Sequence, residues 1–471
     1  MKEVLFLAID MGLTNIKMSF FNEKGEELFK YSGKCSINYF TSDGLINPEI
    51  WWKTVLNIFN SIPSDVKKRV YSLCVIGQGP TIIPIDDDGH VYSAIPWLEK
   101  KGNSSVRRYM QSGYDGQTAT VLSKLDYFSH MYEKPVYLLQ LYDYIVYMLT
   151  GEIVNCSYDK DGYKSWDSRI LESAGFSNRY RVPKICEPAT NVSFLKKDIS
   201  SQFGFNEKCK VISGAPDFVA GLIGTGVIYD GMICDRGGTS QGVTLCSASN
   251  IEVDGVFNKP FMFDDLWKIS GVMNTSGKSI EWFCNSVIKM DTDEFFSRVN
   301  GDIRDYVSDS DLIFLPYLNG ERSPYWDDSF RGVFFGLDTD DDWYSMGISI
   351  MQGVCYSIKD IISRLRKGGY FIRSLRETGK QSMSDLWNQM KSDVLGMEIE
   401  VTRIRESELL GAAIWCMSDY FNTGIHEIVR KVVMIEKVFF PNLTNTEKYE
   451  RLFETYLELV SNTKSLFRKL K

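Results

Sequence analysis

The chain lacks the patterns that would direct it to a membrane, a structural metal or a nucleic acid. No uninterrupted apolar run reaches the roughly 18 residues that a spanning helix needs. The nearest approach, Tyr137 to Leu149, is interrupted by Gln140 and Asp143 and reads as a buried helix. The first apolar run, Val4 to Ile9, meets Asp10 at once, so no secretory leader is expected. Histidine is scarce: His90, His130 and His426 are too dispersed for a zinc site. The 10 cysteines contain no Cys-x-x-Cys pair, and Cys74, Cys234, Cys246, Cys284 and Cys416 lie inside apolar stretches. In a chain of this length that indicates reduced, buried thiols and a cytoplasmic home. Lys and Arg number 53 against 61 Asp and Glu, a net charge of −8, and no basic block stands out. The mildly basic Lys464 to Lys471 reads as a solvated helix end. A nucleic-acid partner is therefore not expected.

What is present is apolar content for more than one core: 44% of 471 residues, which suits two domains. Two similar stretches organise them. Ile9-Asp10-Met11-Gly12-Leu13-Thr14-Asn15-Ile16-Lys17 joins an apolar run to a second one, Met18 to Phe21. The expected object is a β-hairpin whose turn presents backbone N–H groups, the Thr14 hydroxyl and the Lys17 ammonium, with Asp10 at the strand end. That set suits a phosphate chain carrying Mg²⁺, with the amides and Lys17 on the oxygens and Asp10 on the metal or its waters. By itself Asp-x-Gly-x-Thr is usually only a turn. The chain repeats it, however, at Ile233-Cys234-Asp235-Arg236-Gly237-Gly238-Thr239-Ser240, again followed by a strand pattern, Gly242 to Cys246. The repeat predicts two lobes of one plan, each offering a phosphate loop to a shared cleft. Just before it, Val211-Ile212-Ser213-Gly214-Ala215-Pro216-Asp217 leads into a small-residue helix, Phe218 to Gly226. An Asp at that strand end stands where a phosphoryl-transfer base would. It also suits a plain helix cap, and the two roles are compatible because a helix N-terminus favours an ionised carboxylate.

Along the chain, residues 4–35 read as three strands in a meander. Asn47-Pro48 starts a helix over Glu49 to Phe59, and Val70 to Ile76 is a buried strand ending at Gly77-Gln78-Gly79-Pro80. Asp86-Asp87-Asp88-Gly89 reads as a hairpin turn, since the ligand spacing of a calcium loop is absent. Residues 104–150 look helical, and 151–210 irregular. The boundary is expected near 228, giving lobes 1–228 and 229–471. The second lobe should hold helices Lys278 to Val287, Asp293 to Val299, Trp343 to Leu365, Asp385 to Leu395 and Glu408 to Met417. Its further strands are Leu312 to Leu315, Phe371 to Leu375 and Glu398 to Thr402, and Thr446 to Lys471 is a long amphipathic helix. Strands alternating with helices indicate an α/β fold in each lobe. Two look-alikes are set aside. Gly238-Thr239-Ser240-Gln241-Gly242 fits a hydrolase elbow, but a strand follows it where a helix is needed. Gly271 to Ser279 nearly matches a P-loop, but the glycine spacing is one residue too long.

With four further stretches, these residues carry a family resemblance: Phe314-Leu315-Pro316-Tyr317-Leu318-Asn319-Gly320-Glu321-Arg322-Ser323-Pro324; Arg331-Gly332-Val333-Phe334-Phe335-Gly336-Leu337 leading to Gln352-Gly353; Leu386-Trp387-Asn388-Gln389-Met390; and Leu410-Gly411-Ala412-Ala413. In order and over roughly residues 4 to 415 the chain resembles the FGGY family of carbohydrate kinases, nearest in feel to xylulose and gluconate kinases. The resemblance implies two lobes, each built on a ribonuclease-H-like or actin-like βββαβαβα core, with a cleft between them. It implies Mg²⁺- and ATP-dependent phosphorylation of a hydroxyl of a monosaccharide, ketose, polyol or sugar acid, with Asp217 as general base. Asp10 (to the metal through water), Gly12, Thr14, Asn15, Lys17, Gly238 and Thr239 would serve the phosphates and Mg²⁺. Gly277, Glu281, Gly379, Gln381, Ser382 and Asp385 would meet the nucleotide, and Gln78, Trp97, Glu99, Asp217 and Phe218 the sugar. The partners are then a small-molecule sugar and ATP, with neither nucleic acid nor membrane, and a homodimer is compatible with the reading.

The chain departs from the family pattern in several places. Leu13 replaces a small or hydroxyl residue. Trp97-Leu98-Glu99-Lys100-Lys101 stands for Trp-x-Asp-x-Arg. Phe218 follows the base where glycerol kinases have Gln and xylulose kinases Asn. At the adenosine loop, Gly379-Lys380-Gln381-Ser382-Met383-Ser384 replaces Gly-Gly-Gly-Ala-Lys/Arg-Ser, losing two glycines that would let backbone lie flat against base and ribose. Two alternatives therefore stay open: a sugar phosphotransferase using another donor such as pyrophosphate, and a catalytically weak sugar-binding regulator. Joint retention of Asp10, Thr14, Asp217 and Thr239 argues against the latter.

Overall fold

Two mixed β-sheets carry the fold of the computed structural model, which describes residues 3–36, 45–96, 99–158, 166–263, 265–301 and 311–470. The first sheet is six-stranded: β1 (Leu5–Met11), β2 (Asn15–Phe21), β3 (Glu27–Lys34), β4 (Val70–Gly77), β5 (Asn191–Phe194) and β6 (Lys210–Ile212), ordered β5-β6-β4-β1-β2-β3. β1 to β3 form the expected antiparallel meander, β4 and β6 extend it in parallel, and β5 closes the edge antiparallel. β1 and β4 are buried almost throughout, which their near-continuous apolar runs require, whereas β3 alternates between half-buried and exposed as a one-sided edge strand does.

The second sheet repeats this plan. It contains β7 (Met232–Gly237), β8 (Gln241–Ser247), β9 (Phe257–Pro260), β10 (Trp267–Met273), β11 (Ser374–Gly379), β12 (Ile399–Thr402) and β13 (Ile435–Phe439), ordered β9-β10-β8-β7-β11-β12-β13. β7, β8 and β10 are the antiparallel meander. β11 and β12 follow in parallel, and β13 is the antiparallel edge. Beneath it the helix Trp343–Lys367, opened by Asp342 accepting from Tyr344 and Ser345 N–H groups, buries Met351, Val354, Ile358 and Ile361. The ribonuclease-H-like α/β core thus occurs twice.

Contacts divide the chain into one unit of Met1–Gly224 with Ser407–Val432 and another of Thr225–Glu406 with Val433–Lys471. The break falls ahead of the expected residue 228, and Ser407–Val432 goes with the first unit instead of with 229–471. The helix Ser407–Phe421 packs on β1 and β4. Its Gly411 lies so close to the helix Asp217–Thr225 that an added Cβ would sit 1.9 Å from the Ala220 carbonyl oxygen. The Leu410-Gly411-Ala412-Ala413 stretch is therefore a close helix–helix contact, a long-range pairing that chain order does not reveal.

Other expectations shift locally. Tyr137 to Leu149 is not one helix: Val136–Leu139 is a strand paired with Ile83–Ile85, and a helix runs Leu141–Thr150. Its polar interruptions mark the junction, with Asp143 Oδ2 accepting from Gln140 N at 3.0 Å and Oδ1 from Cys156 N at 2.8 Å. The strand expected at Phe371 to Leu375 is Ser374–Gly379, in register with Met232–Gly237, and leaves Phe371 64% exposed. The helix expected over Lys278 to Val287 is α-helical only over Gly277–Trp282 and widens to π geometry over Phe283–Ile288. Asp86 Oδ1 accepts from Asp88 N and His90 N, so the Asp triplet is the turn its sequence suggests. The cysteines are free thiols, and among the described residues no helix is long and apolar enough to cross a membrane.

Candidate functional site

In the first unit the β1–β2 turn is closed by Gly12 N donating to Asn15 O at 3.1 Å, and a Cβ on Gly12 would stand 2.6 Å from that oxygen. Leu13, the departure from the family pattern, is buried, and its carbonyl accepts from Trp51 Nε1 at 3.0 Å. It anchors the turn from inside, while Thr14 stays exposed. Asp10 and Lys17 are cross-strand partners in the β1–β2 ladder, both half-buried. Met11 pairs with Gly77 at the end of β4, and Gly77 bridges to Pro216. Gly77 and Pro216, the chain neighbours of Gln78 and Asp217, are thereby paired at and beyond the carboxyl ends of neighbouring parallel strands, with Asp10 one residue before the end of β1, the edge at which open α/β sheets bind ligands. Asp217 opens the helix Asp217–Thr225, with its Oδ1 2.6 Å from Phe218 N, and both residues are half-buried.

On the sugar side, Glu99 is half-buried and accepts from Lys101 N at 2.6 Å, while Trp97 lies outside the described residues. Sequence reasoning missed Lys124. This lysine is buried in the helix Gly116–Phe128 and donates to the Pro96 carbonyl at 3.1 Å, holding the lead into residues 97–99. Burial pulls its ammonium down to about 8, with Glu99 opposing. In one sequence such a lysine is indistinguishable from one that snorkels to solvent.

In the second unit the β7–β8 turn is Gly238-Thr239-Ser240, with Gly238 N donating to Ser240 O at 3.2 Å and Thr239 and Ser240 exposed. The segment entering the helix Gly277–Trp282 docks on this turn: Gly277 N donates to Gly238 O at 2.9 Å, and Ser276 N and Lys278 N to Thr239 O at 3.2 Å. Gly379 ends β11 opposite Gly237 with φ of +83°, and a Cβ there would lie 2.4 Å from Gly237 O, so this glycine of the altered loop is sterically required. Gln381 and Ser382 turn inward, 3% and 1% exposed, and Met383 outward, 71% exposed. Ser382 Oγ donates to Gly379 O at 2.6 Å. Glu281 is exposed, and Asp385 is an exposed partner of Lys437 at 2.7 Å. Of the residues expected at the nucleotide, the structure thus gathers Gly277, Gly379 and Gln381 around the β7–β8 turn, and leaves Glu281 and Asp385 on the surface.

Although the two hairpins share one pattern, their aspartates differ. Asp10 is half-buried, whereas Asp235 is wholly buried and paired with Lys391 at 2.7 Å. Lys391 also lies 2.7 Å from Glu377, and all three side chains are fully enclosed. Burial, then the Asp235 carboxylate, pushes the Glu377 carboxyl well up. Burial opposes the Lys391 ammonium, but the two carboxylates outweigh it and hold its pKa above the ordinary value. The Pro-Tyr-Leu-Asn-Gly-Glu-Arg stretch acts from behind. Glu321 Oε1 accepts from Asn274 N at 2.8 Å and Arg322 N at 2.7 Å, and Arg322 Nε donates to Asn274 Oδ1 at 2.6 Å, clamping the approach to Gly277. Burial raises the Glu321 carboxyl to about 8. In the Trp-Asn-Gln stretch Trp387 is buried, and Asn388 Nδ2 donates to Ser382 O at 2.9 Å.

Among the described residues no group of three or more His, Cys, Asp or Glu could hold a metal ion. Asp10, a half-buried carboxylate beside a hydroxyl turn, fits a magnesium that keeps most of its waters and takes phosphate oxygens from a substrate.

Two α/β units of one plan, each joining its first two strands through an Asp-x-Gly-x-Thr turn, define the class of two-domain proteins with the actin-like ATPase fold. Solved structures share that fold. A xylulose kinase from Lactobacillus acidophilus matches with a TM-score of 0.84 at 21% identity, covering 99% of this chain and 100% of that one. A Plasmodium falciparum glycerol kinase with ADP matches at 0.81 and 15%, covering 97% and 98%. In sequence the chain is 25% identical to the xylulose kinase of Bacillus subtilis over 496 residues, 99% of this chain and 98% of that protein. It is also 25% identical to the gluconokinase of the same species over 455 residues, 89% and 87%. The N-terminal domain profile of the FGGY family of carbohydrate kinases matches residues 5–224 and the C-terminal profile residues 236–420; the chain belongs to this family.

Proposed function

We propose that this carbohydrate kinase transfers the γ-phosphoryl group of ATP to a hydroxyl of a monosaccharide, ketose, polyol or sugar acid, with Asp217 as the general base. The observation that supports the reading is that Asp217, at the helix start following β6, Gln78, following β4, and Asp10, near the end of β1, all fall at the carboxyl edge of the first sheet, tied there by the Met11–Gly77 and Gly77–Pro216 pairings. In this account Asp217 takes the proton of the attacking hydroxyl, its carboxylate kept ionised by the start of its helix. Gln78, Trp97, Glu99 and Phe218 hold the sugar, and Lys124 holds Pro96. Phe218 stacks on the C–H face of the sugar and supplies no hydrogen bond, which disfavours glycerol and xylulose. Gly12, Thr14, Asn15 and Lys17 receive phosphate oxygens, as do Gly238 and Thr239. Gly277, Glu281, Gly379, Gln381, Ser382 and Asp385 serve the nucleotide, Gly379, Gln381 and Ser382 from the loop 379–384 and Asp385 from the start of the helix after it. Magnesium bound with the nucleotide would be held by Asp10 through water and would neutralise phosphate charge.

A second reading, pyrophosphate as donor, is favoured by the loop at 379–384, where the backbone forms a short 3₁₀ turn and two of the family's glycines are absent. The test is ADP release from a panel of ketoses, polyols and aldonic acids with ATP, run beside phosphate release from pyrophosphate. Turnover with ATP supports the first reading, and turnover with pyrophosphate alone replaces it. Sugar binding by calorimetry without turnover on either donor would leave a regulatory binding protein.

A further inference from the structure

Gln381 stands where the family has glycine, and its side chain closes a ring of hydrogen bonds. Lys391 Nζ donates to Gln381 Oε1 at 3.2 Å, Gln381 Nε2 to Ser276 Oγ at 2.7 Å, Ser276 Oγ to Gln241 Oε1, and Gln241 Nε2 to Asp235 Oδ1. Lys391 Nζ closes the circuit on Asp235 Oδ2 at 2.7 Å. All five side chains are buried. The ring has one direction. Lys391 only donates and Asp235 only accepts, and each residue between them receives one hydrogen bond and gives one. Both amides and the hydroxyl are thereby fixed in orientation. Asp235 and Gln241 flank the turn Arg236–Ser240, Ser276 precedes Gly277, and Gln381 lies in the loop 379–384. The ring therefore ties both feet of the turn to the segment docked on its carbonyls and to the altered loop. A buried network in which every member is satisfied rigidifies what it joins.

We propose that this ring sets the geometry of the turn Gly237–Gln241 for the phosphates of the donor, with Gln381 and Lys391 as positioning residues. The proposal rests on reading that turn as a phosphate turn. It assigns one of the two missing glycines a consequence: Gln381 acts on the phosphates through the turn and makes no contact with the base. Donor phosphates should then be gripped independently of the nucleoside.

The test uses the full chain, with Mg²⁺ and inorganic tripolyphosphate as probe. Gln381→Met keeps the side-chain length and breaks two links; Ser276→Ala breaks the ring elsewhere and carries the test if the first variant melts early. Each should weaken tripolyphosphate binding by calorimetry about tenfold and raise KM for ATP in the same proportion, the scale of one or two buried hydrogen bonds. KM for the sugar should not move. The double variant should be no worse than either single one, because the ring opens once. Unchanged tripolyphosphate binding in both variants, or no binding by the parent chain, overturns the proposal. A loss confined to ATP also overturns it and makes Gln381 a direct nucleoside contact. A parent chain that binds tripolyphosphate and loses it in the variants, yet never turns over with ATP, would sink the proposed function and sustain the ring. Turnover with ATP, unaltered by either substitution, would do the reverse.

Discussion

Glu321→Gln should change how stability depends on pH. The carboxyl is buried, and burial raises its pKa from 4.5 to about 8. Between those values the folded protein keeps a proton that the unfolded chain has released. Stability therefore falls as pH rises through the window, by about 1.4 kcal/mol per pH unit at most. Between pH 6 and pH 8 this amounts to about 2 kcal/mol, since the slope halves as the folded pKa is reached. Glutamine removes that dependence and keeps an oxygen for the Asn274 and Arg322 N–H groups. Its amide nitrogen falls where Glu321 Oε2 is buried without a hydrogen-bond partner, and in this window that oxygen carries the parent's proton, so parent and variant alike bury an unpaired donor there. The variant should gain about 2 kcal/mol on its parent between pH 6 and pH 8. Urea unfolding at pH 6, 7 and 8, followed by tryptophan fluorescence and circular dichroism, measures this difference. A difference that stays constant with pH would mean that Glu321 is ionised in the fold, and would refute the reasoning.

Two more predictions concern single contacts. Gly379→Ala places a Cβ 2.4 Å from Gly237 O at a φ of +83°, so it should lose about 2–3 kcal/mol, read as a lower melting temperature, and raise KM for ATP. Lys124→Met removes the hydrogen bond to Pro96 O and should raise KM for the sugar about tenfold, with KM for ATP unchanged in steady-state assays.

Local patterns carried much of this structure. The first meander, the turn at Gly12 and its repeat at Gly237–Gly238 follow from apolar runs broken by glycine, and the sheets match them strand for strand. Contacts distant in sequence were not legible. The burial of Asp235 depends on Lys391, 156 residues away, so one turn pattern yields a half-exposed aspartate in the first unit and an enclosed one in the second. The return of Ser407–Phe421 to the first unit rests on glycine-to-carbonyl contact with the helix of Ala220, and the Gly411 signal could have suggested close packing without naming its partner. Gln381 read as bulk intruding on a nucleotide loop, because the direction of a side chain depends on what waits inside. In Tyr137 to Leu149 one apolar run covers two elements: Gln140 caps the helix that follows the strand and Asp143 lies in its first turn, and short apolar runs carry no period that separates the two.

As the proposed base, Asp217 draws the proton from the sugar hydroxyl. This is tested by kcat for Asp217→Asn with ATP and whichever sugar the parent turns over, alongside calorimetric sugar binding. The expected fall in kcat is more than about a hundredfold, with sugar still bound. A variant that keeps kcat within a few-fold of the parent would contradict it.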